Sequence, residues 1–451
     1  MHQYNFNEAF EELTAQKRKI LLKMLAGESD EAIAKSLQIT EATVRKHIQE
    51  ICHKFGLKND PGEHYSLRPQ LISLFAEYKP ELVNFKVLGE YTSFVPLLMK
   101  EPELPDDQVV INSGFYVERV PYEAQCYQEL LKPGALVRIK APQQMGKTGL
   151  LERVLDRART QGYRTVTLSF ALADSTVFTD LRQFSQWFCA RVGKHLGLPN
   201  KLDLYWDDVF GCNSNTTAYF QDYLLPTIDS SLILALDEVD LVFEHPQIAH
   251  DFCRLVRGWY DIARRGDRSS AIWKQLRLVV VHSTDVYRAV HINTSSPLWG
   301  IGLVVELPEL TQDEVEELAQ RHELNWSSTQ VEKLMAMVGG HPYLIHLALD
   351  CIRRQDIKLE QLLQSAPTEA GIYSGHLRRH LGNLQQYPEL AAALREVVKA
   401  DSWVTIESMW AFKLYSMGLV KLHENSVMPR CDLYRQYFRV RVASEQEKRL
   451  L

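Results

Sequence analysis

The hydrophobic pattern changes character along the chain. Between residue 113 and about residue 305, five apolar runs alternate with amphipathic stretches: A135LVRIKA, R164TVTLSF, S231LILALD, R277LVVVHS and L303VVELP. Strands buried on both faces read as continuous apolar runs, so this alternation predicts a parallel sheet covered by helices on two sides. Residues 6–60 instead show apolar positions at helical spacing, broken by tight turns. Residues 61–112 carry prolines at 61, 69, 80, 96, 102 and 105 and read as a connector with some helix. From 311 to about 365 the spacing is helical again, and from about 370 helices lead into a short alternation around G418LVKLHENSVMPR. No apolar run approaches the roughly 20 residues that span a bilayer.

The first strand leads into candidate chemistry. In A135LVRIKAPQQMGKTGLLERVLDRA a strand-like run passes through a turn to Gly146-Lys147-Thr148 and then to a helix with leucines at 150, 151 and 155. Backbone N–H groups of such a turn, and of the helix N-terminus, point at bound phosphates. Gln144, Met145, Gly146, Lys147, Thr148 and Gly149 are therefore the candidate phosphate contacts. Gly146 lets the backbone approach, Lys147 supplies a point charge to the β- and γ-phosphates, and the Thr148 hydroxyl is placed to ligate Mg²⁺. Ala141 stands where the usual pattern has glycine, and it is less free than glycine at positive φ.

A second strand supplies acids. Leu232 to Leu236 are apolar and are followed by Asp237 and Glu238, about 90 residues after the loop. A buried parallel strand delivers such residues to its C-terminal edge, where ligands bind in open α/β sheets. Asp237 is expected to hold Mg²⁺ and Glu238 to orient or deprotonate an attacking water. Asp240 reads as a supporting or surface charge. The strand R277LVVVHSTD, expected beside the acidic one, ends in His282, Ser283 and Thr284. One of these is expected to feel the γ-phosphate. Ser283 and Thr284 enter the candidate catalytic set with Lys147 and Glu238.

With these motifs in place, residues 113–345 resemble the AAA-like ATPase domains common in cyanobacterial multidomain proteins, near the STAND class of signalling NTPases. The matching stretches are Y116VERVPYE, I139KAPQQMGKTGLL, L236DEVDLVFE, L278VVVHSTDVY and G339GHPYL. Ala141 followed by proline is usual in that group. The resemblance implies ATP or ADP with Mg²⁺ as ligand. It also implies that Arg119 and Glu123 lie by the base or ribose, although Glu118 replaces a glycine of the broader pattern. It further implies Pro342 at the base with His341 close by; Pro342 equally suits a helix start. An arginine finger usually completes hydrolysis in such a fold. Arg254, Arg257 and Arg288 are the candidates, with no ground for choosing among them.

L13TAQKRKILLKMLAGESDEAIAKSLQITEATVRKHIQEICHKFGLKN resembles the LuxR-type helix-turn-helix. Thr40 suits an N-cap, and Val44, Ile48, Ile51 and Phe55 share one helical face. Thr43, Arg45, Lys46 and Gln49 lie off that face and are the candidate DNA contacts. Residues 1–60 carry nine basic and nine acidic side chains, so contact with DNA and a protein-docking or dimerisation role stand side by side. Near the other end, helices followed by a hairpin with its tip at Glu424-Asn425 resemble a winged helix. The nearby His376, Arg378, Arg379 and His380 read as solvated rather than DNA-contacting.

Charge and cysteine usage narrow the field. The net charge of −6 provides no global field for nucleic acid, so any DNA contact is local. Seven widely spaced cysteines form neither a disulfide framework nor a zinc pattern, and the polar, acid-bearing start does not read as a signal peptide; a cytoplasmic protein without membrane contact is expected. The expected architecture is an all-α helix-turn-helix domain (1–62), a connector (63–112), a parallel-sheet P-loop NTPase core (113–307), a helical lid (308–366) and a winged helix (367–451). The expected role is an ATP-binding, slowly hydrolysing signalling switch that drives self-assembly or engages a signalling partner. An ATP-regulated DNA-binding regulator and a nucleotide-binding scaffold with little turnover, by analogy in conflict or defence signalling, are the alternatives.

Overall fold

The computed structural model describes Phe6, Phe10, residues 12–57, isolated positions between 67 and 82, and 115–442 apart from 268–269, 285–296 and 299. Most of the expected connector, and Arg288, lie outside the described residues. The chain divides into two compact units, residues 1–103 and 104–451.

In the first unit three helices, α1 (Ala15–Leu25), α2 (Asp30–Leu37) and α3 (Glu41–Lys54), each begin on a hydroxyl cap. Thr14, Ser29 and Thr40 accept backbone N–H groups that the first turn leaves unpaired. Val44, Ile48, Ile51 and Phe55 are buried as the periodicity predicts. Phe6, Phe55 and Phe75 meet with ring centroids 5.0–5.1 Å apart and close the small core.

The second unit is built on a five-stranded parallel sheet of β1 (Leu136–Ala141), β2 (Arg164–Ser169), β3 (Leu232–Asp237), β4 (Leu276–Ser283) and β5 (Leu303–Glu306). Their order is β2-β3-β4-β1-β5. Alternate residues feed different layers. Leu232, Leu234 and Leu236 of β3 enter one core, with Phe184, Phe188 and Trp259, while Ile233 and Ala235 enter another, with Leu150, Leu151 and Val154. Helix α4 (Tyr122–Leu130) and helix α5 (Lys147–Thr160) cover the second face; α6 (Leu181–His195) and α7 (Pro246–Arg264) cover the first.

Beyond β5 come α8 (Gln312–Arg321), α9 (Ser328–Val338), α10 (Pro342–Arg353) and α11 (Leu359–Ser365), then α12 (Ser374–Gln385), α13 (Pro388–Lys399) and α14 (Ser408–Ser416). The winged-helix hairpin follows as β6 (Val420–His423) and β7 (Ser426–Pro429), and α15 (Asp432–Arg441) returns across it. Val404 bridges Val427, adding a third edge to the hairpin, and Glu424 turns its tip with φ 53°. One continuous apolar cluster runs from Leu310 through Leu344 and Leu394 to Phe438, so the four lid helices and the winged helix share a core.

Two expectations are corrected here. The limit on alanine at positive φ does not arise, because Ala141 ends an extended strand and is absent from the positive-φ residues; it is fully buried. His376 and His380 are buried at 4% and 7% exposure, because both face the interior of α12, while Arg378 and Arg379 are exposed.

Gly340 is a point of close approach. A Cβ there would lie 2.1 Å from the Leu310 carbonyl oxygen and 2.9 Å from its nitrogen, and the Leu310 N–H donates to the Gly340 carbonyl at 2.8 Å. Gly340→Ala is expected to destabilise the chain by about 1–3 kcal/mol or more, as an overpacked site without room to relax. Thermal denaturation of the variant beside Gly382→Ala, where a Cβ meets nothing within 4 Å, checks this; equal melting points contradict it.

Candidate functional site

Register brings the candidate residues to one edge of the sheet. Ser169 of β2 lies beside Asp237 of β3, and Ser283 of β4 lies beside Ala141 of β1. All four end their strands on the same side, where the loop from β1 to α5 arches over them.

Within the loop, Gln144 and Gly146 adopt φ of 60° and 85°. Left-handed residues interspersed in a turn direct consecutive N–H groups into a concavity that suits anions. Gly146 caps α5, whose N-terminus adds positive partial charge. The Lys147 amine donates to the Ala141 and Pro142 carbonyls at 3.2 and 2.8 Å, so its charge is held within the arch. Glycine is required at Gly146 by its φ. At Gly149 the requirement is space, since a Cβ would sit 3.2 Å from the Tyr116 ring.

The carboxylates occupy different environments. Asp237 is buried; its Oδ1 accepts the Glu238 N–H at 2.9 Å and its Oδ2 faces the Thr148 hydroxyl at 3.4 Å. Burial pushes its pKa up to about 6, and the Glu238 charge pushes the same way; the Glu238 N–H, Lys147 and Thr148 oppose them. A buried carboxyl with so little compensation beside a hydroxyl is a donor pair suited to a hard cation. No group of three or more His, Cys, Asp or Glu that could hold a metal occurs among the described residues. An ion on Thr148 and Asp237 therefore needs phosphate oxygens and water to complete its shell, which is the habit of Mg²⁺. Glu238 is exposed, with φ 57°, and its carboxylate accepts a short hydrogen bond from the Ser169 hydroxyl.

The β4 tip is held from two directions. Asp240 Oδ1 accepts the Ser283 N–H at 2.9 Å, so this acid supports the strand end. The Thr284 N–H donates to Ala141, and its hydroxyl donates to the Ser416 carbonyl at 2.7 Å. His282 turns aside, its ring edge-on to Phe243, and burial lowers its pKa to about 4.

The stretch before α4 clamps the start of α5. Glu123 accepts the Tyr116 hydroxyl at 2.7 Å and the Arg119 N–H at 3.0 Å, which occupies one of its oxygens structurally. The Arg119 guanidinium is buried, donates to the Pro308 carbonyl, and is the nearest group to a Cβ built on Gly146, at 4.0 Å. Pro342 begins α10. His341, just before it, is 4% exposed, has no hydrogen-bond partner at Nδ1, and is lowered to about 3 by burial, with Arg430, His380 and Lys147 nearby. Arg254 is exposed on α7; Arg257 donates to the Pro297 carbonyl at 2.7 Å and faces Asp261.

Three contacts with the C-terminal elements escaped sequence reasoning. The Gln144 side chain meets His376 Nδ1 at 2.9 Å, and His376 Nε2 meets the Tyr434 hydroxyl at 2.7 Å. Pro142 packs on Gly418, where a Cβ would lie 3.0 Å away. The third is Thr284 on Ser416. A non-glycine residue in the left-handed region costs about 1–2 kcal/mol, and a net hydrogen bond contributes about 1 kcal/mol, so the His376 contact is on the scale needed to hold Gln144. None of these partners lies near the loop in sequence.

On the helix-turn-helix, Arg45 is exposed but engaged by Asp30 at 3.0 Å and Glu41 at 2.7 Å. Thr43 pairs with the Thr40 hydroxyl at 2.8 Å, and Lys46 and Gln49 are exposed.

The strand order, the arched loop and the acidic strand end define a P-loop NTPase core. The sequence pattern of the AAA-like domain matches residues 104–440, and the chain belongs to that family. Residues 11–62 match the bacterial regulatory proteins of the luxR family. No curated protein matches the chain. Among solved structures, a Walker-type ATPase of Pyrococcus abyssi is similar at 12% identity and TM-score 0.52, covering 72% of this chain and 96% of its own. That similarity shows a shared fold. The Aeropyrum pernix ORC2 protein, in ADPNP–ADP complexes, has 15% identity, TM-score 0.47 and coverage of 75% and 98%. A STAND protein with a tetratricopeptide repeat sensor from Pyrococcus horikoshii has 16% identity, TM-score 0.31 and coverage of 74% and 44%.

Asp237 carries a pH signature. With its folded pKa raised from 3.8 to about 6, ionisation above that pH works against folding, while below the unfolded value both states hold the proton. Asp237→Asn is expected to stabilise the ligand-free protein at pH 8 by on the order of 2 kcal/mol, with the gain fading toward pH 4. Urea unfolding across a pH series checks this; a gain independent of pH contradicts it.

Proposed function

We propose that the chain is a slowly hydrolysing ATP switch, in which nucleotide at the phosphate loop and docking of the C-terminal helices bias one another. The observation that carries this is the sharing of atoms: Pro142, Gln144 and Thr284, which frame the loop, are held by Gly418, His376 and Ser416. A ligand that prefers one arrangement of these segments shifts the population of the other. MgATP supplies the phosphoanhydride bond and the divalent charge, and Thr148 and Asp237 are the residues that would hold the ion. Lys147 neutralises phosphate charge within the arch. Glu238, held by Ser169, orients a water toward the β4 tip, where Ser283 and Thr284 are fixed by backbone and hydroxyl bonds. Arg119 beside Gly146, and His341 and Pro342 at the start of α10, line the approach to the loop, with Glu123 bracing Arg119.

Lys147→Ala is expected to abolish MgATP binding measured by calorimetry. Glu238→Gln is expected to retain binding while lowering single-turnover hydrolysis by about 10²-fold or more. Unchanged hydrolysis in the Glu238 variant refutes the role given to that residue.

A second reading, regulation of DNA binding through α3, rests on the exposed Lys46 and Gln49 within a luxR-type unit. Because Asp30 and Glu41 already engage Arg45, few phosphate contacts are available and the salt dependence is expected to be shallow. Binding to a duplex library at several salt concentrations, with and without MgATP, decides; the absence of any sequence-selected fragment in all conditions sinks this reading and leaves α3 as a protein-docking face.

A further inference from the structure

We infer that His376 and Tyr434 are positioning residues for the phosphate loop, holding Gln144 in its left-handed conformation and so making the loop's anion-binding shape conditional on the docking of α12 and α15. This rests on the phosphate-loop reading above and names the contact through which the C-terminal elements act on it.

The hydrogen bonds have a direction. Gln144 presents its carbonyl oxygen, so His376 Nδ1–H donates to it at 2.9 Å. Nε2 is then the bare nitrogen of a neutral ring, and it accepts the Tyr434 hydroxyl at 2.7 Å. The Gln144 oxygen, which can only accept, thus fixes the tautomer, and Tyr434 braces it by donating to the bare nitrogen. The ring is 4% exposed and cannot exchange these partners for water. It is wedged by His341 at 5.3 Å, His380 at 4.7 Å and Tyr434, stacked at 5.8 Å. Burial holds its pKa well below the ordinary histidine value, and the neighbouring His380, His341 and Arg379 act in the same sense. Gln144 needs such support, because glutamine has no local bond of its own that favours φ 60°. Remove the donor and Gln144 relaxes toward ordinary φ, turning the loop N–H groups out of the concavity.

The test is a double-mutant cycle in the full chain, read by calorimetric titration with MgATP and with MgADP. Gln144→Met keeps the length of the side chain and, like glutamine, has no local preference for the left-handed region, but it offers His376 no carbonyl oxygen. Gln144→Met and His376→Ala are each expected to weaken nucleotide binding about fivefold to tenfold, and the double variant no further than either alone. Tyr434→Phe, which keeps the ring, is expected to weaken binding twofold to threefold. His376→Asn, whose side-chain N–H can still donate to Gln144, is expected to recover most of the loss. Multiplying losses in the double variant, or parent-like affinity in His376→Ala, overturns the proposal. If His376→Ala does not fold, the cycle of Gln144→Met with Tyr434→Phe carries the same decision. Hydrogen exchange of amides 143–148 in the ligand-free chain gives a readout independent of nucleotide. Faster exchange in Gln144→Met and Tyr434→Phe, but not in the exposed-surface variant Lys333→Ala, supports positioning, and unchanged exchange in the first two overturns it. A Lys147→Ala chain that binds MgATP as tightly as the parent refutes the phosphate-loop reading instead.

Discussion

A carboxylate at the end of a fully buried strand sets the terms for the rest of this site. All six residues of β3 are buried, and the last is Asp237. The five apolar residues anchor the sheet between two cores, so the strand cannot withdraw the acid into solvent without exposing leucines. The result is a carboxyl that resists ionisation. Thr148 stands opposite because α5 starts where β1 ends, and β1 and β3 are both gripped by β4. Stability and chemistry thus pull against each other at one residue, as they commonly do at functional sites.

The second organising feature is a circuit of contacts around the loop. Gln144 touches His376, whose ring neighbours His341; His341 follows Gly340, which is pressed onto Leu310; and Gly418, before the β6 strand, presses on Pro142. The lid helices and the winged helix share one hydrophobic core, so these points are joined through packed side chains. A packed core has few alternative arrangements, which suits two-state behaviour better than graded response.

The helix-turn-helix unit shows the opposite balance. Its three capped helices and its Phe6, Phe55 and Phe75 cluster share one small core. Its surface charge is largely spent internally: Lys17 on Glu50, Lys54 on Glu12, Arg68 and Arg45 on Asp30. With Arg45 and Lys54 so engaged, α3 offers little general attraction to phosphate beyond the exposed Lys46.

Much of the architecture was legible in the sequence. Apolar runs located the five strands of the parallel sheet, most plainly β3, which is buried throughout, while the edge strands β2 and β5 keep exposed positions. The Thr40 cap, the wing tip at Glu424 and the apolar face of α3 were equally local, since each is decided within a turn or two of chain. At Ala141, by contrast, the question of positive φ fell away only once the strand was seen to end on it. His376 and His380 looked like surface charge because helical spacing reveals a buried face only when that face is apolar. Ser169 came to Glu238 only through strand order and register. Gln144, His376 and Tyr434 are 232 and 58 residues apart along the chain. The chain by itself determined which segments are strands, helices and phosphate loop, since those follow from short-range chemistry. Tertiary packing alone decided which distant polar groups hold that loop in shape, since a buried hydrogen bond depends on what surrounds it and leaves no period in the sequence.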